Sequence, residues 1–418
     1  MKKRIFVFAA VIFVLLIASC SPAAISNPSS GTTSTQPAAS GSSAEPAECS
    51  TDAYGCAKIP AGQTIKIGMG APMTGGDASF GIDISQGGQI AITDAGELNG
   101  FKFELIAEDD GGTAEGGAAV ANKLVADPTV VAIAGHIYSG ATASAMPIYE
   151  KIGLPMLSPS ATNPPLTEMG SKVFNRIAFT DSTQGKAAAT YLYDKIGIRK
   201  LAVMHDGSDY GKGLAEIVRD TFTGLGGEIV SFSAITPKET DYTAPLAAVA
   251  ATKPEALYFG GYTQEGAIIA NQMKQTGLEN AVFFGCDGTY GQDFLDRTGA
   301  NGEGAYAVSL APADSDPKLK FDAAYEKAYG VKPGTLSPFT WNGYDVVAAL
   351  VSQIKAVAIL GGDGNLYVPR GALVTAVRNL KDYQGIGGVY TCDAKGECNA
   401  SGPRFVTIKD GKWVDAQN

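Results

Sequence analysis

TIKIGMGA (residues 64–71) is the stretch on which the fold turns. It is apolar at nearly every position, with Lys66 as its one charge. A strand that faces water on one side alternates polar with apolar; a near-continuous run reads as a strand covered on both faces, the mark of a parallel sheet. The segments after it repeat the theme. A helical stretch runs from Ile82 to about Leu98, then FKFELIAED (101–109) opens with period-2 alternation. Ala114 to Ala126 has helical spacing, VVAIAG (130–135) reads as a buried strand, and Ala141 to Lys151 is helical again. Strands alternating with helices predict a doubly wound α/β layer.

A second series of similar size begins after Asp181. Helix 184–196 leads to strand KLAVMH (200–205), helix 212–223 and strand GEIVSF (227–232). Then come helix 243–251, strand ALYFGG (256–261), helix 264–276 and strand AVFFG (281–285). From about Tyr306 the pattern turns helical, over 316–329, 340–358 and 370–380, and the chain ends in short antiparallel strands joined by Gly-containing turns. Two such lobes place a cleft between them, faced by the strand-to-helix loops of both.

The N-terminus sets the compartment. Lys2, Lys3 and Arg4 precede an apolar run, Ile5–Ala18, too short to span a bilayer comfortably. The run ends in Ile17-Ala18-Ser19-Cys20, so residues 1–19 read as a secretory signal peptide. Cys20 at the break resembles the lipobox cysteine of bacterial lipoproteins, which is lipidated and anchors the chain at the cell membrane. Residues 20–48 are rich in Ser, Thr, Pro, Ala and Gly and cannot build a core, which predicts a disordered tether with a reach of about 30 Å.

Composition narrows the partners. Without residues 1–19 the chain carries 29 Lys+Arg against 42 Asp+Glu, a balance near −13 that argues against nucleic acid and anionic membrane surfaces. Six cysteines fit an oxidising exterior. With Cys20 assigned to lipid, Cys49/Cys56 in the segment 49–62 and Cys392/Cys398 near the end each predict a local disulfide; Cys286 is left over as a free thiol. Neither pair comes with the histidines a zinc site would need, and no phosphate-loop or dinucleotide fingerprint appears, so no metal or cofactor is expected.

Two loops carry the candidate chemistry: GHIYSGATASA (135–145) and SPSAT (158–162). Each follows an apolar run and each is crowded with hydroxyls. Between Lys123 and Lys172 the only basic residues are His136 and Lys151. One reading makes Ser139 a nucleophile. It needs a base, the chain has only His136 and His205, and Ser139 does not sit in a G-x-S-x-G turn. The other makes the loops an anion cradle, with hydroxyls and free N–H groups at a helix N-terminus binding a carboxylate without any cation. Ser139 could equally do no more than cap its own helix.

These stretches, with IKIGMGAPMTGGDASFG (65–81), FTDSTQG (179–185), HDGSDYGKGLA (205–215), YFGGYTQEG (258–266), FFGCDG (283–288) and SPFTWNGYDVVAAL (337–350), occur in the order seen in a known family. From about Ile65 to Trp413 the chain resembles the bacterial leucine/isoleucine/valine-binding proteins of ABC importers. The resemblance implies the type I periplasmic-binding-protein fold, with residues 63–180 and 307–385 in the first lobe and 181–306 and 386–418 in the second. It places Ser139, Ser160 and Thr162 where the family holds the ligand's carboxylate and part of its ammonium. Asp287 falls where the family has a glutamate for the ammonium, and Phe80, Tyr210, Tyr262 and Phe339 fall around the ligand side chain. An amino acid delivered to a permease, without catalysis, is the implied activity. An unpaired buried ammonium is costly, so one acid is physically required.

The departures bear on the ligand. Asp287 reaches one methylene less far than a glutamate, and Cys286 and Tyr138 are further differences. The family's disulfide in the first lobe has no counterpart, since neither Asp109–Gly112 nor Tyr138 supplies a cysteine. Relatives of the family take short amides, urea-like compounds or aromatic acids, so such a ligand, a sensor in place of a transporter, and the more distant serine hydrolase stay open.

Overall fold

A computed structural model describes residues 45–398 and 402–416. The signal segment, Cys20 and the tether up to residue 44 lie outside the described residues. Strand Ile65–Ala71 is buried at every position but Lys66, as its two-faced apolarity requires. It lies within a six-stranded sheet ordered Glu97–Leu98, Phe101–Asp109, Ile65–Ala71, Val130–Ile133, Met156–Ser158, Phe174–Arg176. All run parallel except Glu97–Leu98 at the edge. In the second sheet Glu228–Ala234, Lys200–His205, Ala256–Gly260, Val282–Phe284 and Tyr306–Ser309 run parallel. The hairpin Arg404–Lys409/Lys412–Asp415 closes that sheet on the Tyr306 side, antiparallel.

Helices Asp316–Tyr329 and Thr340–Val357 return to the first lobe and pack on helix Ala78–Ala95. Asp83, fully buried, ties the three together by accepting from Tyr325, Ser337 and Thr340, each at 2.6 Å. Burial pushes its carboxyl up to about 6 despite those donors. The network holds Phe80 and Phe339, which flank it in sequence.

Several expected boundaries move. Tyr306–Ser309 is a strand of the second sheet, so the second lobe extends past residue 306. Residues 386–398, expected in the second lobe, pack on the first. Ile386 N–H and Tyr390 O–H both donate to Asp345 at 2.8 Å, and Cys398 N–H donates to the Arg176 carbonyl at 2.9 Å. The reason is that Phe174–Arg176 is an edge strand whose backbone groups need partners, and the Cys392–Cys398 loop supplies them. Only from Arg404 does the chain join the second sheet. The boundary expected at residue 49 falls inside a short helix, Ala47–Thr51, that buries Cys49.

Disulfides Cys49–Cys56 and Cys392–Cys398 are formed, and Cys286 is a buried free thiol among the described residues. No helix of the described residues is long and apolar enough to cross a membrane.

Candidate functional site

The first lobe brings its two hydroxyl-rich loops together at the ends of strands Val130–Ile133 and Met156–Ser158. Ser158 Oγ donates to the His136 carbonyl (2.7 Å) and accepts from Ala161 N–H (3.0 Å), while Ser160 Oγ donates to the Ile137 carbonyl (2.9 Å). Helix Ser139–Glu150 starts here with Tyr138 as an extended N-cap, and no side chain caps it. Ser139 therefore does not cap its own helix; its Oγ accepts from Asn163 N–H at 3.3 Å. First-turn N–H groups and the Ser139 hydroxyl lie at the positive end of that helix.

Beneath the second loop sits Arg176, fully buried. Its Nη1 donates to the carbonyls of Ala161 (3.0 Å) and Asn163 (2.7 Å), the two residues flanking Thr162. Its Nε and Nη2 pair with Glu397 at 2.9 and 2.5 Å. Arg176 thus braces the loop and offers no donor to a ligand. Nothing local in the sequence marks it, because its acidic partner lies far away in the chain.

The second lobe supplies the acid. Asp287 opens a 3₁₀ turn after strand Val282–Phe284 and is buried. Its carboxylate accepts from Gln184 Nε2 (2.7 Å) and from the Tyr210 hydroxyl, and its N–H donates to Gln184 Oε1 (2.9 Å). Burial raises its pKa, with Tyr210 and Gln184 pulling the other way. Gly288 is required here, since a Cβ would lie 2.5 Å from the Gly261 carbonyl. Burial pushes the neighbouring Cys286 thiol up to about 12, so it is not a reactive thiolate.

One narrow cavity of about 10 Å³ is lined by Phe80, Ser139, Ser160, Tyr210, Tyr262, Asp287 and Phe339, together with Ile137, Tyr138 and Gly288. Seven of the eight predicted ligand residues thus converge; Thr162 is fully buried beside them without lining the cavity. No lysine or arginine lines it. Several side chains nearby have buried polar atoms that find no hydrogen-bond partner in the protein: Tyr138 Oη, Thr162 Oγ1, Asn163 Oδ1, Tyr258 Oη and both oxygens of Asp181. Asp181, the first residue of helix Asp181–Thr190, is held well above the carboxylate range by burial and then by Asp287; Thr162 and Arg176 oppose this more weakly. Buried polar groups are ordinarily satisfied, so these unpartnered atoms are an unusual concentration beside the cavity.

The lobes meet around the cavity. Ser79 donates to Asp293 (3.0 Å), Arg297 to the Gly76 carbonyl (3.1 Å), Gln264 N–H to Asp77 (3.2 Å), and Asn163 Nδ2 to the Asp209 carbonyl. The arrangement a serine nucleophile would need is not formed. His136 spends both ring nitrogens on Asp110 (2.8 Å) and Tyr149 (2.9 Å), and His205 Nδ1 accepts from Gly207 N–H (3.1 Å).

Fold and site together define a two-lobed receptor that encloses a small polar solute. A family model described as periplasmic binding protein matches residues 64–412. The chain is 32% identical over 299 residues (71% of this chain, 79% of the relative) to a leucine-, isoleucine-, valine-, threonine- and alanine-binding protein of Pseudomonas aeruginosa. It is 32% identical over 357 residues (84% and 92%) to Leu/Ile/Val-binding protein homolog 1 of Brucella abortus. Its structure is similar, at TM-score 0.74 and 29% identity, to the branched-chain amino acid transporter substrate-binding protein LivJ of Streptococcus pneumoniae in complex with isoleucine, covering 84% of this chain and 97% of that one. The chain belongs to the periplasmic binding protein family, and each of these relatives is named as a binding protein.

Proposed function

We propose that this chain captures a small aliphatic amino acid, a branched-chain one foremost, outside the cytoplasm and delivers it to an ABC importer. One observation carries the reading: uncharged donors of one lobe and the buried acid of the other converge on a single aromatic-walled cavity without a cation. In that reading Ser139, Ser160 and Thr162, with backbone N–H groups, hold the carboxylate. Asp287 pairs with the ammonium, and Phe80, Tyr210, Tyr262 and Phe339 enclose the side chain. The relatives' names and the isoleucine in the LivJ complex support the ligand class. The site binds and releases, with no bond made or broken. The IASC lipobox supports a lipid anchor at Cys20, and fatty-acid labelling of wild-type and Cys20→Ser chains tests it. The closed pair of lobes is the surface a permease would read.

A thermal-shift screen of amino acids and short amides tests the ligand, because a bound solute raises stability by RT ln(1 + [L]/Kd). Leucine, isoleucine and valine are expected to raise the melting temperature. A shift with an amide, urea or benzoate alone would overturn the reading.

Closure should be linked to protons through Asp77. In the closed form its carboxyl is raised to about 7 by burial first and then by Glu265 and Asp206, against the Gln264 N–H and Arg297. In an open cleft it would return toward an ordinary carboxylate. Closure then takes up a proton, and this contribution is complete below about pH 4 and is lost as pH rises through about 7. Leucine affinity is therefore expected to fall more steeply between about pH 5 and about pH 8 in wild type than in Asp77→Asn. Titration calorimetry giving parallel pH profiles for the two proteins would refute the linkage.

A further inference from the structure

Tyr138 stands one residue before Ser139, and its ring lines the same cavity. It stacks face to face on Tyr262 of the other lobe, with centroids 4.0 Å apart and planes 3° from parallel. Phe80 meets it edge-on at 6.4 Å, and Tyr210 extends the aromatic surface beyond Tyr262 at 5.2 Å. The ring is buried, and the chain makes room for it at Gly112. That glycine has φ +66°, and a Cβ there would lie 2.7 Å from the Tyr138 ring. The backbone beneath is stiff: the Tyr138 carbonyl accepts from both the N–H and the hydroxyl of Thr142, each at 2.9 Å.

We infer that Tyr138 sets the ligand's size limit: stacked on Tyr262, it forms a fixed cross-lobe wall that admits aliphatic side chains and excludes aromatic ones. This rests on the amino-acid reading of the site. Adjacency in sequence gives the wall its meaning. Ser139 holds one end of the ligand, so the distance from the carboxylate donors to the wall is set within a single dipeptide at a helix start. The stack forms only when both lobes are in place, so a side chain too long for the wall would hold the lobes apart. Exclusion then acts on closure as well as on contact.

Titration calorimetry with isoleucine and phenylalanine on wild type, Tyr138→Phe and Tyr138→Ala tests this, with Tyr138→Leu in reserve should the alanine variant fail to fold. Wild type and Tyr138→Phe, which keeps the ring, are expected to share a strong preference for isoleucine. Tyr138→Ala should shift the phenylalanine-to-isoleucine affinity ratio toward phenylalanine by about tenfold or more. An unchanged ratio in a folded Tyr138→Ala or Tyr138→Leu protein that still binds isoleucine overturns the size limit and leaves the proposed function standing. Wild type that binds no amino acid overturns both.

Discussion

Asp287→Asn is expected to lose amino acid binding by about 3–5 kcal/mol, because the ligand's buried ammonium is left without a counter-charge. That is between two and nearly four orders of magnitude in Kd. The unliganded fold should behave in the opposite way. Burial raises the Asp287 pKa above its unfolded value in spite of the Tyr210 and Gln184 hydrogen bonds. A carboxyl raised in this way contributes stability below its unfolded pKa, and loses it as pH rises through the folded one. At neutral pH the ionised form is therefore a burden, which the neutral amide removes while still accepting from Gln184 and Tyr210. Asp181, the neighbouring buried acid, is relieved as well. Calorimetric titration with leucine and urea melts of both proteins would show lost affinity with equal or greater stability. Unchanged affinity would remove Asp287 from the ligand site.

Arg176→Met is expected to destabilise the protein by about 3–5 kcal/mol, since it removes a fully buried guanidinium and leaves Glu397 largely enclosed without its partner. The carbonyls of Ala161 and Asn163 lose their donors at the same stroke. The loop carrying Ser160 and Thr162 should then slacken, so ligand affinity falls even though Arg176 touches no ligand. Adding Glu397→Leu should recover part of the stability, because the stranded charge is gone, but not the affinity, because the loop remains unbraced. Denaturant midpoints and titration on the single and double variants separate these effects. A single variant within about 1 kcal/mol of wild type would show that the buried pair matters little.

What could be read in the sequence was whatever a short stretch encodes alone. Strands covered on both faces, such as Ile65–Ala71 and Ala256–Gly260, must be apolar throughout, and helices on a sheet repeat every three or four residues, so the α/β alternation is visible locally. All eight residues proposed to hold the ligand were marked by the order of motifs, and seven of them line one cavity. Strand Leu366–Pro369, paired with Cys56–Ile59, escaped notice, because a four-residue segment carries too little periodicity. The Arg176–Glu397 brace, the seat of residues 386–398 on the first sheet's edge and the Tyr138–Tyr262 stack were decided by tertiary structure alone. Each joins residues remote in the chain, and pattern records which side of an element is buried but not what buries it. Local burial was written along the chain, whereas the partners that close the cleft exist only once its path brings the lobes face to face.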